Sequence, residues 1–257
     1  MIEIRDLWAG YGGNAVLRGV DFSVQAGDFV GVLGPNACGK STLIRVISGV
    51  LRPQSGRLRT CGLEAGFVPA RRLAREVAVV PQSTEIPFPF SGFEVVLMGR
   101  YPRLGRFARE GPQDLEAVSR ALEDTDTAVL ADRLVTQVSG GERQRLILAR
   151  ALAQEAPLLL LDEATASLDV HRKIDAFDLL TRLNRAGTTI VAVMHDLNLA
   201  ACYCDRLLLL RDGIPLAEGK VEQVLTYRLV KECYGVDVYV GVNEITGCRF
   251  LIPMAPS

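Results

Sequence analysis

Nine consecutive residues, Gly34-Pro35-Asn36-Ala37-Cys38-Gly39-Lys40-Ser41-Thr42, fit the spacing G-x-x-x-x-G-K-[ST], which suits a polyphosphate. The apolar run Phe29–Leu33 precedes them, and 42–47 continue with helical spacing, so the loop joins a strand to a helix. A helix N-terminus leaves backbone N–H groups unpaired and carries roughly half a positive charge. Small loop residues let those groups close around phosphate oxygens. Lys40 adds a cation for the β- and γ-phosphates, and Ser41 offers a hydroxyl to Mg²⁺, which prefers oxygen ligands. An ordinary strand–helix turn with chance glycines would carry neither the length of this pattern nor its context. If position 37 requires positive φ, alanine there costs about 1–2 kcal/mol. Cys38, at the helix start, is either a small filler or a thiol with a lowered pKa.

Other residues could act on the same ligand. Leu158-Leu159-Leu160-Leu161 is an apolar strand tipped by Asp162-Glu163. Acids at the tip of such a strand are costly unless they face a cleft or a metal. Asp162 suits Mg²⁺, and Glu163 suits deprotonating an attacking water. Ser139-Gly140-Gly141 opens a second helix, with Ser139 at N-cap, and reads as a second anion-seeking terminus. His195 follows the apolar strand 188–194, at the carboxyl end where open α/β sheets bind ligands. A neutral imidazole there could hold a γ-phosphate or a water. Gln82, after Val79-Val80-Pro81, is either a metal- or water-reaching amide or simply solvated. Tyr11, before Gly12-Gly13, is either a purine-stacking ring or a turn tyrosine packed on the sheet. His171 lies among charges and reads as surface.

The elements that must position these groups follow from pattern. Residues 2–7, 16–24 and 28–33 read as strands, with shorter ones at 57–61 and 76–80. Between 83 and about 153 the chain reads as helical. Ser91-Gly92-Phe93-Glu94 is a capping box opening a helix through Met98. Gly111-Pro112 starts another, with Leu115, Val118 and Leu122 along one face. The basic stretch 99–106 between them is either a solvated loop or a docking surface. Asp169 can cap a helix through Leu183. Leu207–Leu210 form a strand that turns at Asp212-Gly213 into 214–217. Short helices follow near 221–225 and 226–234, and residues 252–257 are expected to fray.

Composition sets limits. Of 257 residues, 49% are hydrophobic and 23% charged, which suits one large or two small globular units. A net charge of −1 gives no reason to expect a nucleic-acid partner. No apolar run approaches the roughly 20 residues of a membrane span, and 1–6 lack a signal-peptide pattern. The expectation is a protein kept in the cytoplasm. The six scattered cysteines then read as reduced thiols.

Taken together, these motifs resemble the ATP-binding cassette (ABC) ATPases, the nucleotide-binding subunits of ABC transporters. Over residues 1 to about 225 they stand in the family's order. Gly34–Thr42 is similar to Walker A, Gln82 to the Q-loop, and Val138–Gln144 to the signature, with Val138 where leucine is commoner. Leu158–Glu163 is similar to Walker B, Ser167-Leu168-Asp169 to the D-loop, His195 to the switch histidine, and Tyr11 to the adenine-stacking aromatic. The resemblance implies an α/β fold: a P-loop NTPase core with a mainly parallel sheet, an N-terminal antiparallel β-subdomain and a helical insert. The core would take 1–82 and 154–225, the insert 83–153, and an extension 226–257. It implies ATP and Mg²⁺ as ligands, with Ser41, Gln82 and Asp162 toward the metal. Lys40, Glu163 and His195 would carry catalysis. Tyr11, Gly34–Thr42, Gln82, Ser139, Gly140, Gly141, Asp169 and His195 would bind ATP.

It further implies a head-to-tail homodimer, each ATP lying between one copy's Walker A and the other's Ser139-Gly140-Gly141. Partners would be integral-membrane permease subunits and, indirectly, a substrate-binding protein, with the chain peripheral on the cytoplasmic face of the membrane. Residues 87–102, together with the tail 234–253, resemble ATPases of iron–siderophore, haem and cobalamin importers. A zinc or manganese importer, an exporter subunit and a stand-alone P-loop kinase or regulator are the rivals. A kinase would need a phosphate-acceptor site, and none is evident.

Overall fold

The computed structural model describes residues 1–64, 66–82, 85–105, 108–165 and 168–254. Ser167 of the expected D-loop, residue 106 of the basic stretch 99–106, and residues 83 and 84 at the start of the expected helical insert lie outside the described residues. The chain opens with β1 (Ile2–Tyr11), β2 (Asn14–Val24), β3 (Phe29–Leu33), α1 (Lys40–Ile47), β4 (Ser55–Thr60) and β5 (Leu63–Glu64). Next come α2 (Ala70–Leu73), β6 (Val77–Val80), α3 (Gly92–Leu97), α4 (Pro112–Asp124), α5 (Gly140–Ala153), β7 (Leu158–Asp162) and α6 (Val170–Arg185). Then follow β8 (Thr189–Val193), α7 (Leu197–Tyr203), β9 (Arg206–Arg211) and β10 (Ile214–Lys220). The described chain ends with α8 (Val221–Val224), α9 (Tyr227–Tyr234), β11 (Val238–Val242) and β12 (Arg249–Pro253). Contacts divide it into two compact units, Met1–Val68 with Thr189–Ser257, and Pro69–Thr188.

In the first unit β3 runs parallel to both β8 and β9, and β10 returns antiparallel along β9. All five residues of β3 and of β8 are buried. Near-continuous apolar runs such as Phe29–Leu33 and Thr189–Val193 are what a parallel strand covered on both faces requires. Asp212 (φ 50°) and Gly213 (φ 80°) form the expected tight hairpin between β9 and β10. A separate antiparallel sheet has the order β2-β1-β4-β5. Its strand β1 buries alternate residues at first and then shifts register, which carries it on to Tyr11. The tail departs from expectation. Residues 252 and 253 do not fray but pair with β11, Tyr239 opposite Ile252 and Val238 opposite Pro253. Leu251 is 6% exposed, and its burial anchors the ribbon.

In the second unit β6 runs parallel to β7, and all five residues of β7 are buried. The Ser91/Glu94 capping box is present at α3, and Gly111 and Pro112 open α4 with the Asp114 carboxylate on the Gly111 N–H. The apolar face of α4 is Ala117, Val118, Ala121 and Leu122, whereas Leu115 is 44% exposed. Helical spacing allows both faces, and the small alanines permit the closer approach. The basic stretch after α3 is not simply solvated. Arg100 is buried and donates to Asp114, Glu155 and the Ala153 carbonyl, while Arg103 donates to the carbonyls of Gln154 and Glu155.

Candidate functional site

The phosphate loop leaves β3 at Gly34 and enters α1 at Gly39. At Gly34, φ is +150° and a Cβ would lie 2.1 Å from the Leu210 carbonyl oxygen, so the loop starts pressed against β9. Helix α1 then begins with no side-chain cap on its first turn. Its opening N–H groups therefore keep the character of an anion site. Ala37 has φ +61°, the conformation in which alanine carries strain. The Lys40 ammonium donates to the carbonyls of Gly34 and Pro35, each at 2.8 Å, bracing the loop from inside. Asn36 and Ala37 are exposed, Pro35 and Ser41 are half-buried and Thr42 is buried.

Cys38 does not become a reactive thiol. It is 4% exposed, and burial pushes its pKa up against the lowering pull of Lys40. The sulfur fills space beside Gly34.

Two more sequence-selected residues share this unit. Tyr11 closes β1 and is 45% exposed rather than packed on the sheet. Arg45 of α1 donates to its hydroxyl at 2.8 Å and lies 5.9 Å from the ring centroid. The helix that carries the phosphate loop thus also sets the tyrosine. Arg45 escaped sequence reasoning because nothing local links residues 34 apart. His195 is exposed, two residues beyond β8. The Met194 N–H donates to the Val32 carbonyl at 3.1 Å, so His195 emerges at the same sheet edge as the phosphate loop. The next residue, Asp196, caps α7 through bonds from Asn198 and Leu199 N–H.

The second unit holds the carboxylates and the serine–glycine helix start. Asp162 ends β7 and is 8% exposed. Glu163 follows at φ +51°, a strained conformation for a residue with a side chain. The Gln82 amide donates from Nε2 to Glu163 Oε2 at 2.5 Å. Its carboxamide oxygen is then the atom left to accept or to ligate. Gln144 of α5 donates to the Pro81 carbonyl at 3.4 Å, tying the helix of Ser139 to the residue before Gln82. That glutamine closes the Val138–Gln144 motif, yet its role is not visible from sequence.

Ser139 caps α5 in a full capping box. Its hydroxyl accepts from the Glu142 N–H, and the Glu142 carboxylate accepts from the Ser139 N–H at 2.8 Å. Hydrogen bonds from Ser139 hold the Glu142 carboxyl below its ordinary value. Ser139 and Gly140 are exposed, and a Cβ on Gly140 would meet nothing within 4 Å. Asp169 is also exposed and accepts from the Arg172 N–H at 2.9 Å as the cap of α6. His171 pairs with Asp175 on the surface of that helix.

The metal preference of these side chains is for hard ions. Ser41, Gln82 and Asp162 offer hydroxyl, amide and carboxylate oxygens. Among the described residues no group of three or more His, Cys, Asp or Glu could hold an ion by itself. Mg²⁺ takes one or two protein oxygens together with substrate phosphates and water, and each of these side chains offers an oxygen of that kind.

Comparison with known proteins bears on this arrangement. Residues 17–166 match the family model described as "ABC transporter". The chain is 39% identical to the cobalamin import ATP-binding protein BtuD of Halobacterium salinarum over 98% of its length, but spans only 63% of that relative. It is 36% identical to the ferric enterobactin transport ATP-binding protein FepC of Escherichia coli K12, covering 98% of this chain and 94% of that one. It is 42% identical to the hemin import ATP-binding protein HmuV of Streptomyces coelicolor, covering 94% and 86%. Among solved structures, an inward-facing chain described as a metal-chelate type ABC transporter superposes with TM-score 0.85 at 28% identity, over 99% of this chain and 97% of that chain. The dimeric post-hydrolysis ATP-binding cassette MJ0796, bound to ADP and Pi, superposes with TM-score 0.76 at 27% identity, over 86% and 99%. The fold is therefore that of an ABC ATPase, and the chain belongs to the ABC transporter family.

Proposed function

We propose that this chain is the ATP-hydrolysing subunit that energises an importer for a metal chelate (ferric siderophore, haem or cobalamin) across the cytoplasmic membrane. The observation that carries the reading is the start of α1. An uncapped helix N-terminus is joined to a loop braced by Lys40, at the edge where His195 also emerges. The import names of the relatives support the cargo class.

In this reading Tyr11 stacks on adenine, and the N–H groups of Gly34–Thr42 surround the phosphates. Two ammonium hydrogens of Lys40 serve the Gly34 and Pro35 carbonyls, and the third is directed to a phosphate oxygen. Glu163 accepts the proton of the attacking water, and Gln82 orients that carboxylate. His195 holds the γ-phosphate or the water in place. Mg²⁺, held by Ser41, Gln82 and Asp162, would neutralise charge on the phosphate oxygens. Ser139, Gly140 and Gly141 would meet the γ-phosphate of ATP bound to a second copy, with Asp169 at the same face. Loss of that phosphate would release the pair.

No helix among the described residues is long and apolar enough to cross a membrane. The proposed place is peripheral, on the cytoplasmic face, against permease subunits that receive substrate from a separate binding protein. Two variants test the chemistry. Glu163→Gln should keep ATP binding and lose turnover, and Lys40→Ala should lose ATP affinity. Normal turnover in the first, or unchanged binding in the second, would overturn the assignments. ATP-driven uptake by vesicles carrying the co-encoded permease should favour a ferric chelate, haem or cobalamin. Uptake of zinc or manganese alone would overturn the cargo class.

A further inference from the structure

The tail supplies a thiol pair that the nucleotide chemistry does not use. Three of the six cysteines, Cys38, Cys204 and Cys233, are buried, and Cys61 sits against the Met1 sulfur at 3.2 Å. The remaining two belong to different elements. Cys202 is exposed on α7, and Cys248 is half-buried in the turn that leads into β12.

Strand β12 is laced to α7 by one side chain. The Leu251 N–H donates to Asn198 Oδ1 at 2.7 Å, and Asn198 Nδ2 donates back to the Leu251 carbonyl at 3.3 Å. Cys202 lies four residues after Asn198, one turn further along the same helix face. Cys248 lies three residues before Leu251, on the run of β12 toward its turn. The lacing of α7 to β12 therefore sets the two thiols beside one another, near enough for Cys248 to act on Cys202. The turn is itself held, with the Asn243 N–H on the Cys248 carbonyl and the Cys248 N–H on the Thr246 hydroxyl.

We propose that Cys202 and Cys248 form a reversible disulfide, an oxidation site that fastens the C-terminal ribbon to α7, the helix that starts just after His195. The oxidant is hydrogen peroxide. The Cys248 sulfur attacks one peroxide oxygen and the O–O bond breaks, leaving a sulfenic acid and water. The Cys202 sulfur then attacks the Cys248 sulfur. The S–S bond forms, the S–O bond breaks and a second water leaves. Two thiols are oxidised, one peroxide is reduced, and a dithiol reductant reverses the step by exchange. Burial and the neighbouring thiol push the Cys202 pKa up to about 11, so Cys202 must give up its proton as it attacks the Cys248 sulfur.

Peptide mapping after treatment with dilute hydrogen peroxide tests this. The expected result is a loss of about 2 Da, one linked pair of peptides carrying Cys202 and Cys248, and full reversal by dithiothreitol. Oxidation should also raise Tm by about 5 °C, since the link closes a long loop. Cys202→Ser should instead gain about 16 Da or more at Cys248, because no thiol resolves the sulfenic acid. Cys61→Ser should behave as the parent. Oxygen adducts on both cysteines without a linked peptide would overturn the proposal, as would a Cys202–Cys204 link or a link between two molecules.

Discussion

Replacing Gly34 by alanine tests how the phosphate loop is held. The new methyl would meet the Leu210 carbonyl oxygen at 2.1 Å and the Cys38 sulfur at 2.7 Å, at φ +150°. Neither neighbour can yield easily. One is backbone of the buried strand β9, and the other is enclosed. Such a φ costs an ordinary residue about 1–3 kcal/mol, and overpacking adds about 1–3 kcal/mol. The stiffer unfolded chain returns about 0.4–1 kcal/mol. The net loss is about 3 kcal/mol, or about 6–12 °C in Tm for a chain of this length. Ala37→Gly, in the same loop, should go the other way. It relieves about 1–2 kcal/mol of strain at φ +61° and loses about 0.4–1 kcal/mol to unfolded-state entropy, so Tm rises by about 1–3 °C. Thermal unfolding together with ATP titration reads both variants, and the first should also bind ATP at least tenfold more weakly. A Gly34→Ala protein within about 1 kcal/mol of the parent, with unchanged ATP affinity, would refute the account of a loop pressed on β9.

Further expectations concern the second unit. Gln82→Ala removes its hydrogen bond to the Glu163 carboxylate and should lower kcat about tenfold with little change in ATP affinity, whereas an equal fall in affinity would show that Gln82 acts mainly in binding. Arg100→Met leaves Asp114 beside a buried gap and should destabilise by about 3–5 kcal/mol in urea unfolding, whereas a loss under about 1 kcal/mol would make the network dispensable. Acid provides an independent check. The Asp114 carboxyl is held below its ordinary 3.8, first by the Gly111 N–H and then by Arg100, and Glu142 is likewise held below 4.5. Their contribution is present above those values and lost as pH falls through the lower folded values. Urea midpoints should therefore fall below about pH 4, and less steeply in Asp114→Asn.

The elements that carry the candidate site were legible in the sequence because their parts are local. A glycine loop, a capping serine and acids at a strand tip each announce themselves within a few residues, and Ser91, Ser139 and Asp169 cap the helices that their spacing predicts. What escaped depends on distant partners. Arg100 reads as a solvated cation until Asp114 and Glu155 come to it from later in the chain. Arg45 reaches back to Tyr11, and Gln144 reaches back to Pro81. The β11–β12 ribbon was missed because its strands are short and one contains Gly241, whose missing side chain leaves room for the Phe250 ring. Leu115 was misplaced because an apolar residue beside a helix face need not lie on it.

In the proposed dimer one nucleotide is gripped by the lysine loop of one copy and covered by the serine–glycine helix start of another. Sedimentation of Glu163→Gln with ATP tests it, read beside the same protein carrying Gly140→Asp. An added side chain at Gly140 meets open space, and an acid at a helix start favours the helix, so the fold should survive with unchanged Tm. ATP should double the sedimenting mass of Glu163→Gln, and Gly140→Asp should abolish the doubling. A protein that stays monomeric with ATP, or a dimer indifferent to Gly140→Asp, would contradict this arrangement.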